Sequence, residues 1–218
     1  MNGDSTFTRA RQPEQKEERK AQIFAAASEL LDGGTIEGVS LNAIARKAKI
    51  AKSNVYRYFE SREDIYLQLL KQDWIFWISA LETQLEPLEG SNDIDAVTDA
   101  LVNSIFEASR MCQLISVLAS VLEKNLSEEN LYSFKLESIE LSVRLVTIIT
   151  AALPAVKADN VMPAIQSIFA LIGGLWPLCN PGPLVEKVLQ KPELAPFKLD
   201  YKVALRQSIN LVIRGAVG

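Results

Sequence analysis

Histidine is absent from this chain of 218 residues. That removes the side chain that most often acts as general base and as metal ligand near neutral pH. Cysteine is almost as scarce: Cys112 and Cys179 lie far apart in apolar surroundings. Two thiols are too few for a zinc site, and their setting reads as buried free thiols of a reducing compartment. No metal and no cofactor is therefore expected. Nucleophile elbows and glycine-rich phosphate loops are missing too, so the chain does not read as an enzyme. Long apolar runs are lacking. The longest stretch, Pro163 to Cys179, is interrupted by Gln166, Ser167 and the Gly173-Gly174 pair, and the first twenty residues are polar. Neither a membrane span nor a signal peptide is expected, which points to a soluble cytoplasmic protein. Alternation of period two is also missing, leaving an all-α fold.

The small net charge of −4 conceals an uneven distribution. Acids outnumber bases after residue 70, whereas residues 46–62 carry Arg46, Lys47, Lys49, Lys52, Arg57 and Arg62 against the single acid Glu60. An acidic surface repels nucleic acid, so any contact with it must come from the first third of the chain. Around that basic island, Leu41, Ile44, Ala45, Ala48, Ile50, Val55, Tyr56 and Phe59 recur at helical spacing. The pattern predicts a helix over 41–47 capped by Ser40, a turn at 48–51 and a second helix over 52–59, a helix-turn-helix. At the start of the second helix, Lys52, Ser53 and Asn54 face base edges: lysine can donate to guanine, asparagine can pair with adenine, and serine allows close approach. Ser40, Tyr56, Tyr58 and Arg62 offer hydroxyl or cationic groups to phosphates, which sets register without reading sequence. Val55 and Phe59 turn inward against Leu41, Ile44 and Ile23.

The rest of the chain divides around this unit. Residues 1–12 read as a flexible arm in which Arg9 and Arg11 could reach DNA. A helix follows from Pro13 to Asp32, ended by Gly33-Gly34 in a left-handed turn. Residues 13–62 are expected to form a helix-turn-helix DNA-binding domain. Ser61 caps a long fourth helix that opens a helical domain over 63–218, with further helices expected over 93–108, 110–124, 127–153, 160–179, 184–189 and 199–214.

The segment AIARKAKIAKSNVYRYFESREDIY resembles the DNA-binding domain of TetR-type transcriptional regulators. Ile44-Ala45, Tyr56, Tyr58, Phe59, Ser61, Arg62 and Glu63 carry the resemblance, which extends upstream through Ile23, Ala26-Ala27, Leu30-Leu31 and Gly33-Gly34. Lys49 stands where the family usually has glycine, and Ser53 where it often does; Lys49 adds a phosphate contact. The resemblance implies a homodimer that sets two recognition helices on a palindromic double-stranded operator, and a C-terminal domain for ligand binding and dimerisation. An effector pocket is expected around Trp74, Trp77, Phe106, Met111, Cys112, Ile115, Tyr132 and Phe134, favouring a small apolar or aromatic molecule. The two late helices are the expected dimer interface, with Leu171, Gly173, Gly174, Leu205 and Ile213; the glycine pair either admits close helix approach or marks a kink ahead of Pro177. The function expected is that of a repressor released by such an effector. The alternative is a structural, chromosome-organising DNA-binding protein without one.

Overall fold

The computed structural model describes residues 5–36 and 38–218, with side chains from Gln15 onward. Among these residues all regular structure is helical. Helix α1 spans Ser5–Asp32, α2 Leu41–Lys47, α3 Lys52–Val55 and α4 Arg62–Leu85. Then come α5 (Ile94–Glu107), α6 (Ser109–Val117), α7 (Glu128–Ala152), α8 (Ala158–Cys179), α9 (Pro183–Leu189) and α10 (Tyr201–Val217).

Helix α1 begins ahead of Pro13, so helical backbone covers much of the segment expected as an arm. The run of Arg, Ala, Gln, Glu and Lys through residues 9–20 favours helix, and one proline does not stop it. The side chains of Arg9 and Arg11, and hence their reach toward DNA, lie outside the described residues. The stripe Ile23, Ala26, Ala27 and Leu31 is buried. The end of α1 differs from expectation. Neither Gly33 nor Gly34 has positive φ. Glycine matters at 34 for space, because a Cβ there would lie 3.0 Å from the Leu30 carbonyl oxygen.

Helix α4 is the spine. Ser61 Oγ accepts the Asp64 N–H at 3.0 Å, while the Asp64 carboxylate accepts the Glu60 N–H at 3.0 Å, a reciprocal cap. From there Tyr66, Leu70, Trp74, Trp77, Leu81 and Leu85 hold one buried seam. The helix packs against α1 at its start and against α5, α6 and α7 further on. It therefore joins the N-terminal helical unit to the rest without a linker.

Helix α6 is shorter than its apolar pattern suggests. A π-helical turn takes over at Leu118–Leu122, followed by a 3-10 turn at Glu123–Asn125. Helix α8 packs on α6, α7 and α10. Despite Pro163, Pro177 and the glycine pair, it forms one helix, long and apolar enough by length and composition to cross a membrane. Only 22% of its apolar window is buried within this protomer.

Candidate nucleic-acid interface

The recognition element is brief. Regular α-helix covers only Lys52–Val55, and the chain then tightens. The Arg57 and Tyr58 N–H groups donate three residues back, to Asn54 O at 3.2 Å and Val55 O at 2.9 Å, before Phe59 N–H returns to Val55 O at 3.1 Å. Such tightening satisfies carbonyls at a helix end. Val55 and Phe59 are buried four residues apart, which fixes the inner side. Phe59 meets Phe24 of α1 edge to face, with ring centroids 5.0 Å apart. Lys52, Ser53, Asn54, Tyr56 and Arg57 are left exposed on the outer side. The three residues expected to read bases thus stand together in solvent on a braced helix.

The phosphate set divides. Ser40 caps α2, its Oγ accepting the Ala43 N–H at 3.2 Å, and sits exposed beside the first turn. Tyr56 is exposed and Tyr58 half-buried against the core. Lys49 is exposed and holds φ at 57°, the left-handed region. This is the conformation that glycine adopts without strain and that costs another residue about 1 kcal/mol. Lys49→Gly is expected to raise stability by up to about 1 kcal/mol. It should also weaken DNA binding by removing a cation; a lowered melting temperature would show that the turn holds no strain.

Arg62 departs from expectation. Its guanidinium donates to Glu63 at 2.7 Å and to the Ile36 and Val39 carbonyl oxygens at 3.4 and 3.1 Å, and it stacks over the Tyr66 ring at 5.6 Å. The donors are turned inward, tying α4 to the connection between α1 and α2, so in the DNA-free chain Arg62 serves as a strut. Lys47 is drawn to Glu29 at 2.5 Å. Arg46, Lys49, Lys52 and Arg57 are exposed and form no ion pair among the described residues.

Two straps bind this unit to the C-terminal helices. The Glu60 carboxylate accepts the Ser127 N–H at 2.8 Å, just before α7, and Ser61 Oγ donates to Asn125 O at 3.3 Å. The Ser127 hydrogen bond holds the Glu60 carboxyl below its usual range. The second strap is Arg110 of α6. It pairs both nitrogens of its fork with Asp73 of α4, at 2.8 and 2.5 Å, and reaches Asp32 of α1 at 3.2 Å as well as the Ser28 hydroxyl. Beside it, Gln113 Nε2 donates to the Gly34 carbonyl oxygen at 3.3 Å.

The residues expected around an effector do not form one pocket. Trp74 and Trp77 meet through Phe169 of α8, with centroids at 4.8 and 6.1 Å. Met111 and Cys112 are fully buried and Ile115 half-buried. Burial pushes the Cys112 thiol up to about 11, as befits an inert packing group. Phe106 and Tyr132 instead lie outside, 47% and 65% exposed, with the Lys202 ammonium over the Phe106 ring. Both fall on the solvent side of their helices. Phe134 faces a separate polar recess between α4 and α7. The interior is close-packed: the void among α5, α7, α8 and α10 measures about 10 Å³. A cleft of about 400 Å³ opens among α1, α4, α5 and α6. Trp77 and Met111 line it together with Asp32, Asp73, Phe76, Glu107 and Arg110. Sequence reasoning passed over Arg110, Asp73 and Phe169. Arg110 did leave a signal, being the only cation between Lys71 and Lys124.

Most of the residues expected at a dimer interface are already engaged within the chain. Leu205 and Ile213 are buried within the protomer, and Gly173 lies against Ile115, where a Cβ would meet its Cγ2 at 3.4 Å. Leu171 is half-buried. Gly174 faces open space. The outward residues of these helices include Ser167, Ala170, Gly174 and Leu178 on α8, and Val203 and Leu211 among the charged and polar residues of α10.

Comparison with known families gives two adjoining matches. Residues 23–69 match the family "bacterial regulatory proteins, tetR family", and residues 71–217 match "tetracyclin repressor-like, C-terminal domain". Among solved structures, a bacterial regulatory protein in the tetR family from Rhodococcus RHA1 is 14% identical over 91% of this chain and 96% of its own, with a TM-score of 0.57. A TetR-family transcriptional regulator from Streptomyces coelicolor is 14% identical over 91% and 99%, with a TM-score of 0.54. The fatty acid degradation regulator FadR from Bacillus halodurans is 17% identical over 90% and 95%, with a TM-score of 0.53. A search of curated proteins finds no match.

Proposed function

Since the chain belongs to the TetR family of bacterial transcriptional regulators, we propose that it is a repressor whose grip on a palindromic operator is released by a small molecule. The observation that carries the DNA-reading part is the exposed triad Lys52, Ser53 and Asn54 on a helix anchored from behind by Val55 and Phe59. The partner is double-stranded DNA. Lys52 and Asn54 read bases, while Ser40, Lys49, Tyr56 and Tyr58 hold the backbone.

A homodimer is formed by the outward faces of α8 and α10. Support comes from the small and apolar residues that α8 leaves exposed, Ala170, Gly174 and Leu178, and from the open space over Gly174, where nothing in the protomer opposes close approach. Pairing there sets two recognition helices about 34–36 Å apart, one turn of duplex. The effector binds in the cleft beside Phe76 and Trp77, since the interior among α5, α7, α8 and α10 is close-packed. A ligand there acts only through its different affinity for the two arrangements of the dimer. The cleft favours this reading over that of a structural DNA-binding protein, which has no use for one.

Selection of genomic fragments bound by the purified protein tests the proposal. A palindrome with half-sites about 10 base pairs apart is expected. Asn54→Ala should relax preference at one base pair of each half-site, by about 1–3 kcal/mol. Recovery of fragments without a common sequence would point to the structural alternative.

A further inference from the structure

The lining of the cleft is unusual in its charge. Asp32, Asp73 and Glu107 face it, and Arg110 is the single cation. Phe76 stands 74% exposed at its edge, with Trp77 buried behind. The indole N–H of Trp77 is already committed to Ser104 Oγ at 3.0 Å, so the small part of the ring that reaches the cleft is apolar. A space of about 400 Å³ lies within the range of small-molecule sites. Aromatic faces and carboxylates both attract cations.

We propose that this cleft takes an organic cation carrying aromatic or other apolar rings, which seats on Phe76 and Trp77 and competes with Arg110 for the Asp73 and Asp32 carboxylates, thereby releasing α6 from α1. The inference rests on the reading of the cleft as the effector site, and adds the charge of the ligand and the contact it breaks. Arg110 spans three helices through one guanidinium: Asp73 on α4, and Ser28 and Asp32 on α1. A cation beside Asp73 removes the reason for the guanidinium to stay. Two turns before Asp32, α1 places Phe24 against Phe59 at the end of the recognition element. The position of that element relative to α4 and α6 therefore depends on a contact that the ligand's charge undoes. An anion of the same shape gains nothing from three carboxylates and leaves the strap closed.

The test uses three molecules of similar size and different charge: tetraphenylphosphonium, tetraphenylborate and neutral triphenylphosphine oxide. Each is titrated into the full-length protein by calorimetry, and into its complex with the selected operator by fluorescence anisotropy. The phosphonium is expected to bind about tenfold tighter than the borate and to weaken the operator complex about tenfold, within the usual span of allosteric coupling. Glu107→Gln should weaken phosphonium binding severalfold. Arg110→Ala should bind the phosphonium about tenfold tighter, a competitor being gone, while its operator affinity no longer responds. If that variant does not fold, Asp32→Asn opens the exposed α1 end of the strap; the phosphonium should still bind, with a smaller effect on operator affinity. Equal binding of the two ions, or phosphonium binding without any change in operator affinity, overturns the proposal. Release of the operator by the phosphine oxide but not by the phosphonium would overturn it too and leave the effector site standing. Failure to bind any operator before ligand is added would refute the DNA-binding reading itself.

Discussion

Raising monovalent salt from about 50 to about 200 mM is expected to weaken the operator complex about ten-thousandfold. The figure follows from the exposed cations of the helix-turn-helix that have no ion-pair partner among the described residues: Arg46, Lys49, Lys52 and Arg57. Four per protomer displace about eight counterions from a dimer's site, and a plot of log affinity against log salt should fall with a slope on the order of −7. The variants separate roles that charge alone cannot. Arg57→Gln should make the slope shallower by about two. Arg62→Gln should leave it unchanged, because that guanidinium is spent on Glu63 and on the Ile36 and Val39 carbonyl oxygens. Anisotropy titrations at four or five salt concentrations read all three. A slope near zero would remove the basic face as a DNA contact, and a shallower slope for the Arg62 variant would show that the strut opens on DNA.

The second large effect concerns stability. Phe59→Ala is expected to destabilise the DNA-binding unit by about 3–5 kcal/mol. The side chain is 2% exposed and packs edge to face on Phe24. Its removal deletes the anchor that turns Lys52, Ser53 and Asn54 outward, and leaves a cavity where α1 and the recognition element meet. Within so small a unit there is little else to absorb the loss. Denaturant unfolding followed by circular dichroism measures it. The unit should unfold early, operator binding should disappear in the same range, and the C-terminal helices should keep their transition. A change below about 1 kcal/mol would mean that the ring contact does not hold the recognition element.

The recognition unit was legible because its information is local. Ser40 and Ser61 cap the helices that follow them, and Val55 and Phe59 lie one turn apart, so period and capping settle which side faces inward. Even the departure at Lys49 had a local cause, since a turn that favours glycine shows itself as positive φ. The C-terminal domain was legible as a series of helices and little more. Tyr132 and Phe134 sit two residues apart on α7, one exposed and one buried, and aromatic character alone does not tell them apart. Leu205 and Ile213 have the character of interface residues, yet neighbouring helices in the same protomer already bury them.

By itself the sequence determined the helical class, the basic island and its turn, and the lack of histidine. These follow from composition, and from patterns repeated within a turn or two of helix. Only the tertiary structure decided which cations are free. Arg62 and Arg110 look like the others along the chain, but one is folded back against the carbonyls that end the α1–α2 connection. The other is held across α1, α4 and α6 by residues 37 to 82 positions away. Whether a charge faces solvent or a carboxylate is a property of distant segments brought together, and the cleft beside Arg110 exists only because those helices meet there.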